Sequence, residues 1–538
     1  MSPLPPGLRA RLAAVRDRAR SPRRPGPRAS TGQLARLKRL TMQRRYAEAA
    51  EFAQRHLTDF PHDEAWLRQA VSTLGKAGAL TGQRDAARLL GAIDPAMAAK
   101  AAQLDGRLRE TSPSWRPTVP GDPEPLRPAA ENKVLHLLKI SLPYRQSGYS
   151  VRSKYTVEGQ LAAGLQPVVV TALGFPRQIG VTDAAAEETI GGVRYLRLDP
   201  GADYDFDKPA DEYLQDYTEA AAEVVRAEAP AVIHVHSGHR GFEAALVGLA
   251  LGRHFGIPVV YEVRGFFESL WTSDTRWAES SEIYRRRRDT ENRCMAEADA
   301  VVTLSESMRD EIVQRGIDAE SVHVVPNGVD VDAFQPRDRS AELVAHLGLE
   351  GKFTFGYVSN LDHYREGQEL LIDAAVELRR RGVPATALIV GDGRRRGELE
   401  QLAQRRQAGD AVIFTGRVPH DRVLDYYALL DVFVIPRVDE RAARLVTPLK
   451  PFEAMAAGIP LVTSDLPALR EITGDGRRGR YFRAGDAGGL ADVLAGLHAD
   501  PAERSAMAQR ARDWVVAERQ WSANGRRYAE LYASLRRS

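Results

Sequence analysis

Short apolar segments alternate with amphipathic helical segments through most of this chain, and the alternation occurs in two successive series. Apolar or β-branched runs without polar alternation are typical of strands that are buried on both faces of a parallel sheet. The runs are 134–140, 167–171, 232–235, 259–263 and 300–304 in the first series, and 353–358, 386–390, 411–415, 432–435 and 460–463 in the second. The sequence therefore predicts two doubly wound α/β domains in tandem, with a cleft where the carboxyl ends of their strands face each other.

The part of the chain before the first strand differs in character. Residues 1–30 are rich in arginine and proline and predict a disordered basic arm. Residues 31–110 have a helical pattern, in which Arg45–Phe52 and Gln83–Leu90 resemble each other at nearly the period of paired-helix repeats such as the tetratricopeptide repeat. A plain helical bundle explains this pattern equally well. Residues 111–131 contain six prolines and predict an extended linker.

Composition excludes several classes of protein. The chain has 75 Lys+Arg and 72 Asp+Glu, and no apolar run approaches the roughly 18 residues of a membrane span. Its one cysteine, Cys294, excludes an intrachain disulfide and a multi-cysteine metal site, and it fits a reducing compartment. We therefore expect a cytoplasmic protein without a nucleic-acid partner. Residues 1–45 hold 13 basic residues and one acid, which predicts either a solvated tail or a peripheral contact with the inner face of a membrane.

The segment from residue 447 to residue 458, TPLKPFEAMAAG, carries the most chemical information. Thr447 is a good N-cap and Pro448 suits the first position of a helix. The amides at such a helix N-terminus attract anions, and Lys450 in the first turn opposes the helix dipole unless an anion lies there. Glu453 has apolar neighbours, so its carboxylate needs a partner, and two adjacent hydroxyls of a ribose would serve. A solvated helix face remains the alternative for both charged residues.

This segment and several others resemble the retaining GT-B glycosyltransferases of family 4, also called group 1. The likeness is greatest to members found in bacterial exopolysaccharide gene sets, and it extends from Val134 to Tyr532. The other motifs, in order, are Ser147–Tyr149, His234–His236, Tyr261–Arg264, Val325–Asp330, Phe355–Val358, Val390–Gly393, Phe414–Arg417 and Tyr427–Pro436. Several are weak alone, but their joint order is specific.

The resemblance implies a GT-B fold, in which two Rossmann-like domains face a cleft, here with an extra N-terminal helical module. The expected acceptor domain spans residues 132–335, and the expected nucleotide-sugar domain spans residues 336–520. Residues 521–538 are expected to form a last helix that crosses back to the acceptor domain.

The implied reaction is the transfer of a hexose from a UDP or GDP sugar to a glycan or lipid-linked acceptor. The resemblance further implies retention of the anomeric configuration, no metal or other cofactor, and a role in surface polysaccharide biosynthesis. Two alternatives stay open. One is a nucleotide-sugar epimerase of the same fold. The other is a catalytically degenerate scaffold whose helical module binds a protein partner.

The resemblance also implies roles for single residues. Glu453 is expected to bind the ribose, His236 to face the cleft and orient the donor sugar, and Lys450 to stabilise the diphosphate. An ordinary core histidine is the alternative for His236. Glu262, Arg264 and Arg240 are expected on the acceptor side, with solvated loop residues as the alternative. The expected catalytic residues are His236, Lys450 and Glu453, and the expected donor-binding residues are Gly148, Arg365, Gly391, Gly393, Arg417, Thr447, Lys450 and Glu453.

Two departures from the family pattern concern the donor site. Leu445 stands where the family has the first glutamate of a Glu-x7-Glu pair, which removes one expected contact with the donor sugar. Asn360 and Glu366 stand where family members often have a basic pair. The cations expected to replace that pair are Arg365, Lys450 and Arg444.

Overall fold

The computed structural model describes residues 31–238, 240–272, 275–419 and 422–536. The predicted basic arm lies outside these residues. The chain divides into two compact units. The described residues up to Glu110, together with Arg276–Arg285, form the first unit, and Thr111–Thr275 with the residues from Arg286 onwards form the second.

The first unit is helical. Its helices are α1 (Thr31–Met42), α2 (Tyr46–Arg55), α3 (Glu64–Lys76), α4 (Leu80–Gly91) and α5 (Pro95–Glu110). The ends of α1 and α3 are 34 residues apart (42 to 76), and the starts of α2 and α4 are 34 apart (46 to 80). Because the tetratricopeptide period is about 34 residues, this spacing favours the repeat interpretation over a plain bundle. The core of the unit includes Trp66, Leu67, Leu74 and Leu90, which are all fully buried.

Residues 276–285 come from much later in the chain but pack within this helical unit. The indole Nε1 of Trp277 donates a hydrogen bond to the carbonyl oxygen of Ala77 (3.0 Å). The carboxylate of Glu282 accepts hydrogen bonds from the backbone N of Thr81 (2.9 Å) and from its hydroxyl (2.5 Å). The N-cap residue of helix α4 makes no side-chain cap, and Glu282 accepts a hydrogen bond from an amide of the first turn, where a carboxylate also complements the helix dipole.

The first sheet of the second unit contains β1 (Lys133–Leu138), β2 (Gln166–Thr171), β3 (Glu187–Ile190), β4 (Val193–Leu196), β5 (Val232–His236), β6 (Val259–Glu262), β7 (Ala300–Thr303) and β8 (Val322–Val324). Its helices are α6 (Gly148–Ala162), α7 (Ala210–Glu228), α8 (Glu243–Phe255), α9 (Thr275–Ala278), α10 (Glu282–Glu297) and α11 (Glu306–Gln314), of which α9 and the start of α10 lie mostly in the first unit. The strand order is β3-β4-β2-β1-β5-β6-β7-β8, and only the β3–β4 pairing is antiparallel. Ile233 and Val235 of β5 belong to one hydrophobic cluster and Val232 to another, so this strand is buried on both faces.

The second sheet contains β9 (Phe353–Val358), β10 (Ala385–Val390), β11 (Val412–Gly416), β12 (Val432–Ile435), β13 (Leu461–Ser464) and β14 (Arg480–Phe482). Its helices are α12 (Ala341–Leu347), α13 (Glu369–Arg380), α14 (Arg396–Arg405), α15 (Val423–Tyr427), α16 (Arg441–Leu445), α17 (Lys450–Ala456), α18 (Pro467–Thr473), α19 (Ala487–Ala499) and α20 (Pro501–Glu518). All its strands are parallel, in the order β11-β10-β9-β12-β13-β14. The chain order reverses between β9 and β12, and ligands of such sheets bind at the carboxyl ends of the strands beside the reversal.

The last helix, α21 (Trp521–Leu535), packs against α6 of the first sheet. Two glycines allow the close approach. A Cβ at Gly525 would lie 1.9 Å from the carbonyl oxygen of Gly159, and a Cβ at Gly159 would lie 2.7 Å from that of Trp521. The Trp521 ring stacks on Tyr155, with ring centroids 5.4 Å apart.

The predicted fold is confirmed: two parallel-sheet α/β domains follow an additional helical region. Within the described ranges, every helix is too short or too polar to cross a bilayer.

Candidate active site

The signature segment folds into a shorter helix than the sequence predicts. Helix α17 begins at Lys450, with Leu449 as its N-cap and Pro451 in the first turn. Thr447 is therefore not the N-cap, and that prediction was wrong. Its carbonyl oxygen and hydroxyl instead accept hydrogen bonds from Nδ2 of Asn327, at 2.8 and 3.3 Å. This contact and the ring of Pro451, which suits a first helical turn, place the start of the helix two residues later than predicted, at Lys450 and not at Pro448.

Lys450 and Glu453 lie one turn apart on α17. The ammonium of Lys450 is half-buried and has no hydrogen bond or ion pair with any residue that the structure describes. Glu453 accepts a hydrogen bond at Oε2 from the hydroxyl of buried Tyr427 (2.8 Å), while its Oε1 accepts none from the described residues. The backbone amides of Leu449 and Lys450 also donate to no carbonyl in the described chain. An unpaired cation and a carboxylate with one free oxygen are thus held close together.

The acid at position 366 is neutralised within the protein. Glu366 accepts hydrogen bonds from the Tyr357 hydroxyl (2.5 Å) and from Nε and Nη2 of Arg437 (3.3 and 3.1 Å). Burial alone would raise the pKa of Glu366, but Arg437 and the Tyr357 hydroxyl lower it to about 2. Arg437 also donates to the carbonyl oxygen of Val446 (3.0 Å). Sequence reasoning missed Arg437, although a basic residue two positions after a buried strand was a usable signal.

Arg365 is the cation that this loop can offer to a ligand. Its half-buried guanidinium donates one long hydrogen bond, from Nε to Oε1 of Glu366 (3.4 Å). Arg437 already satisfies that carboxylate. Arg444, the other expected cation, forms an exposed ion pair with Asp439.

The glycines after β10 are explained by backbone packing. Gly391 has a φ of +136°, and a Cβ there would lie 1.9 Å from the carbonyl oxygen of Ser359. A Cβ at Gly393 would lie 2.5 Å from the carbonyl carbon of Leu361. Both contacts are with the loop after β9, so these glycines bring two loops together at the carboxyl edge of the second sheet.

Gly148 and Arg417 are both exposed. Gly148 is the first residue of α6, whose N-terminus is capped reciprocally by Ser147 and Ser150. A Cβ at Gly148 would meet open space, so protein packing does not require the glycine. Arg417 has no ion pair or hydrogen bond within the described ranges.

His236 does not face the cleft, so that expectation was wrong. The last residue of β5, it is fully buried. Its Nδ1 lies 2.5 Å from Nη2 of Arg264, and its Nε2 lies 2.9 Å from Nδ1 of His136. Arg264 follows β6 and turns its guanidinium inward, where it covers the ring nitrogen that could have reached a ligand.

Three buried histidines, His136, His234 and His236, form a cluster in which one ring nitrogen of each lies within 4.8 Å of the others, a spacing that a metal ion could bridge. A guanidinium only donates, so Nδ1 of His236 accepts from Arg264 and its Nε2–H donates to His136. The Nε2 of His136 then donates to Oε1 of Gln160 (2.8 Å). Burial lowers the pKa of each histidine, which favours the neutral rings that this hydrogen-bond arrangement requires.

The same hydrogen-bond chain continues to the third ring. Gln160 donates through Nε2 to the Tyr532 hydroxyl (2.9 Å), which donates to Nδ1 of His234 (2.5 Å). The Nε2–H of His234 then lies 3.2 Å from Oε2 of Glu262. Every imidazole lone pair in this arrangement already accepts a hydrogen bond. The cluster is therefore a directed chain of hydrogen bonds and does not present ligands to a metal.

Glu262 is the acceptor on which this network converges. It is fully buried and accepts from Nε of Arg152 (2.9 Å), Nε of Arg264 (2.7 Å) and the Tyr528 hydroxyl (2.6 Å). Burial would raise the pKa of Glu262, but Arg264 and Arg152 hold it well below its usual range. Glu262 and Arg264 are therefore core residues, and their expected place on the acceptor side was wrong.

Arg152 connects this network to the segment that joins the two domains. It donates to the carbonyl oxygens of Val325 (2.9 Å) and Pro326 (3.2 Å) and to Oδ1 of Asn327 (2.9 Å). Asn327 in turn holds Thr447 of the signature segment. The network therefore fixes the connection between the first sheet and α17.

The chain is similar to glycosyltransferases in both α/β domains. Residues 352–500 match a family described as glycosyl transferases group 1, and residues 147–328 match one described as a glycosyl transferase 4-like domain. A GDP-mannose-dependent alpha-(1-6)-phosphatidylinositol monomannoside mannosyltransferase of Mycolicibacterium smegmatis is 32% identical over 244 residues, which cover 45% of this chain and 63% of the relative. The match thus spans less than two thirds of that relative's length.

Two further comparisons agree with this result. The alpha-D-kanosaminyltransferase of Streptomyces kanamyceticus is 28% identical over 325 residues, which cover 58% of this chain and 79% of the relative. The structure of Anabaena HepE in complex with UDP has a TM-score of 0.56 at 18% identity and covers 75% of this chain and 100% of HepE. At that identity the likeness to HepE shows the fold alone.

Proposed function

We propose that this chain is a group 1 glycosyltransferase and moves a sugar from a nucleoside diphosphate sugar to an acceptor. The observation that carries the proposal is the pair on α17: Lys450, which has no partner among the described residues, and Glu453, which has one carboxylate oxygen that they leave unused. A half-buried cation beside free amides suits a diphosphate. A carboxylate oxygen within the same helix suits the hydroxyl donors of a ribose.

The donor is proposed to be a UDP or GDP sugar. The name of the mycolicibacterial relative includes GDP-mannose, and HepE was solved with UDP. The diphosphate would contact Lys450, Arg365 and the first amides of α17. As the sugar departs, negative charge grows on the diphosphate, and fixed cations and amides stabilise that charge without reorganising.

We further propose that transfer retains the anomeric configuration, as the resemblance to retaining GT-B enzymes implies. We also propose that it requires no metal ion, because Lys450 and Arg365 can meet the charge of the leaving group. The expected result is an α-configured product from an α-linked donor. The measurement is NMR of the anomeric proton of the product, recorded early in the reaction. Activity should persist in EDTA. A β-configured first product, or loss of turnover in EDTA that Mg²⁺ restores, would contradict this proposal.

The acceptor is proposed to be a glycan or a lipid-linked glycan of a surface polysaccharide, reached from the cytoplasmic side. The helical first unit is proposed to bind a protein partner, and its tetratricopeptide-like spacing supports this role. The basic residues at the start of the sequence are proposed to contact anionic lipid. Co-sedimentation with anionic vesicles, compared for the whole chain and a chain that starts at residue 31, tests the lipid contact, and equal sedimentation of the two would contradict it.

Glu453→Ala is expected to weaken the binding of UDP or GDP by about 1.5–3 kcal/mol, the range of hydrogen bonds to charged groups, or roughly 10- to 150-fold in Kd. The reason is the loss of the carboxylate oxygens offered to the ribose. Isothermal titration calorimetry on the folded variant measures the change.

Tyr427→Phe is the matched control for this variant. It removes the hydrogen bond between Tyr427 and Glu453 but keeps the carboxylate, so nucleotide affinity should stay near that of the wild type. Unchanged affinity in folded Glu453→Ala protein would remove Glu453 from the site.

A further inference from the structure

The loops after β9 and β12 meet at the point where the strand order of the second sheet reverses. The backbone N of Val438 donates to the carbonyl oxygen of Arg365 (3.0 Å). Gly367 has a φ of +67°, and a Cβ there would lie 1.9 Å from the carbonyl oxygen of Pro436. The two loops therefore pack together at the carboxyl edge of the second sheet, where ligands of such sheets bind, and Glu440 ends the second loop immediately before α16.

Glu440 carries a half-buried carboxylate that has no hydrogen bond or ion pair with the described residues. The charged residues around it have partners: Arg437 pairs with Glu366, and Asp439 pairs with Arg444. Burial raises the pKa of Glu440, which the charge of Arg365 only partly opposes. A partly desolvated carboxylate without donors is unfavourable, so this side chain is suited to a ligand that supplies them.

The neighbours of Glu440 place it where the two α/β domains approach each other. Arg441, the next residue, forms ion pairs with Glu311 and Glu268 of the first domain. Leu445, at the other end of α16, packs against the hydrophobic core of that domain. Leu445 is thus occupied in a domain contact, and the carboxylate available beside the cleft is the one at position 440.

The charges of the residues at this edge of the sheet indicate which part of the donor each residue would meet. A diphosphate is repelled by a carboxylate and attracted by the cations Lys450 and Arg365. The hydroxyls of a sugar are neutral donors, and a carboxylate can accept from two of them. We propose that Glu440 binds hydroxyl groups of the transferred sugar and so contributes to the choice of donor. This inference rests on the proposed function.

The test compares the affinity of the whole chain for sugar nucleotides with its affinity for the nucleoside diphosphates alone. Calorimetry measures Kd for UDP-glucose against UDP and for GDP-mannose against GDP, in the wild type and in Glu440→Gln. The amide keeps the size of the side chain but not its charge. We expect Glu440→Gln to bind the preferred sugar nucleotide about tenfold more weakly, from the difference between charged and neutral hydrogen bonds, and to bind the nucleoside diphosphate unchanged.

Asp439→Asn is the control, because Asp439 is the adjacent acid and is already paired; both of its affinities should match the wild type. Glu440→Asp should recover part of the lost affinity. Three results would each overturn the inference. The first is an unchanged affinity for the sugar nucleotide in Glu440→Gln, and the second is an equal loss of affinity for the sugar nucleotide and for the nucleotide alone. The third is the same loss of affinity in Asp439→Asn. Wild-type protein that binds none of the four compounds would overturn the proposed function as well.

Discussion

Lys450→Met is expected to slow turnover of the nucleotide-sugar donor roughly a hundredfold while the protein stays folded. Loss of one fixed charge from a water-poor site where charge develops costs on the order of 3 kcal/mol in transition-state stabilisation. The effect should be large here because Asn360 and Glu366 supply no cation, and Glu366 also engages Arg437. Lys450 has no partner in the described chain, so the substitution breaks no existing ion pair.

The loss should appear mainly in kcat, since the charge on the diphosphate grows as the sugar departs. The measurement is steady-state hydrolysis or transfer with the donor that the wild type uses, accompanied by a thermal melt. Arg444→Met is the control, because Arg444 is exposed and pairs with Asp439. If Lys450→Met keeps near-normal turnover while Arg365→Met abolishes it, the prediction is wrong. The main cation at the diphosphate would then be Arg365, in the loop after β9.

Glu262→Gln is expected to destabilise the first α/β domain by about 3–5 kcal/mol, the usual cost of removing one partner from a buried ion pair. The amide would leave two buried guanidinium groups, on Arg152 and Arg264, without a carboxylate. Urea unfolding followed by circular dichroism and by tryptophan fluorescence measures the shift. Glu158→Gln is the control, since its pair with Lys154 is partly exposed and should be worth at most about 1 kcal/mol.

The pH dependence of this effect has a definite sign. The pKa of Glu262 is held well below its ordinary 4.5 in the folded protein. Its contribution to stability is therefore complete above the unfolded pKa and is lost as the pH falls through the folded pKa. The stability difference between the wild type and Glu262→Gln should be constant from pH 7 to about pH 5 and shrink in more acidic solution. A difference that grows on acidification would show that Glu262 is protonated in the native state.

The sequence predicted the two sheets because their central strands are buried on both faces and therefore read as continuous apolar runs. It missed β3, β4, β8 and β14, which are three or four residues long and only partly buried. Three of these short strands lie at sheet edges and β4 lies next to one, and pairing with a neighbour determines them more than their own hydrophobicity.

The candidate site was predictable where one segment carries the chemistry, as α17 does with Lys450 and Glu453. The site was not predictable where residues distant in sequence determine the orientation or the surroundings of a side chain. The orientation of His236 depends on Arg264, which is 28 positions away (236 to 264) and turns inward. The surroundings of Glu440 depend on the adjacency of β9 and β12, which are separated in sequence by β10 and β11.

The late segment 276–285 has a consequence for synthesis of the chain. Domains form in order as a polypeptide leaves the ribosome. The helical unit also needs the indole of Trp277 and the carboxylate of Glu282, which are translated more than 160 residues after Glu110. A nascent chain that ends at α5 therefore holds an incomplete unit, and most strands of the first sheet emerge before that unit is finished. Ribosomal pausing between residues 110 and 285 would prolong the exposure of the surface that Trp277 later covers.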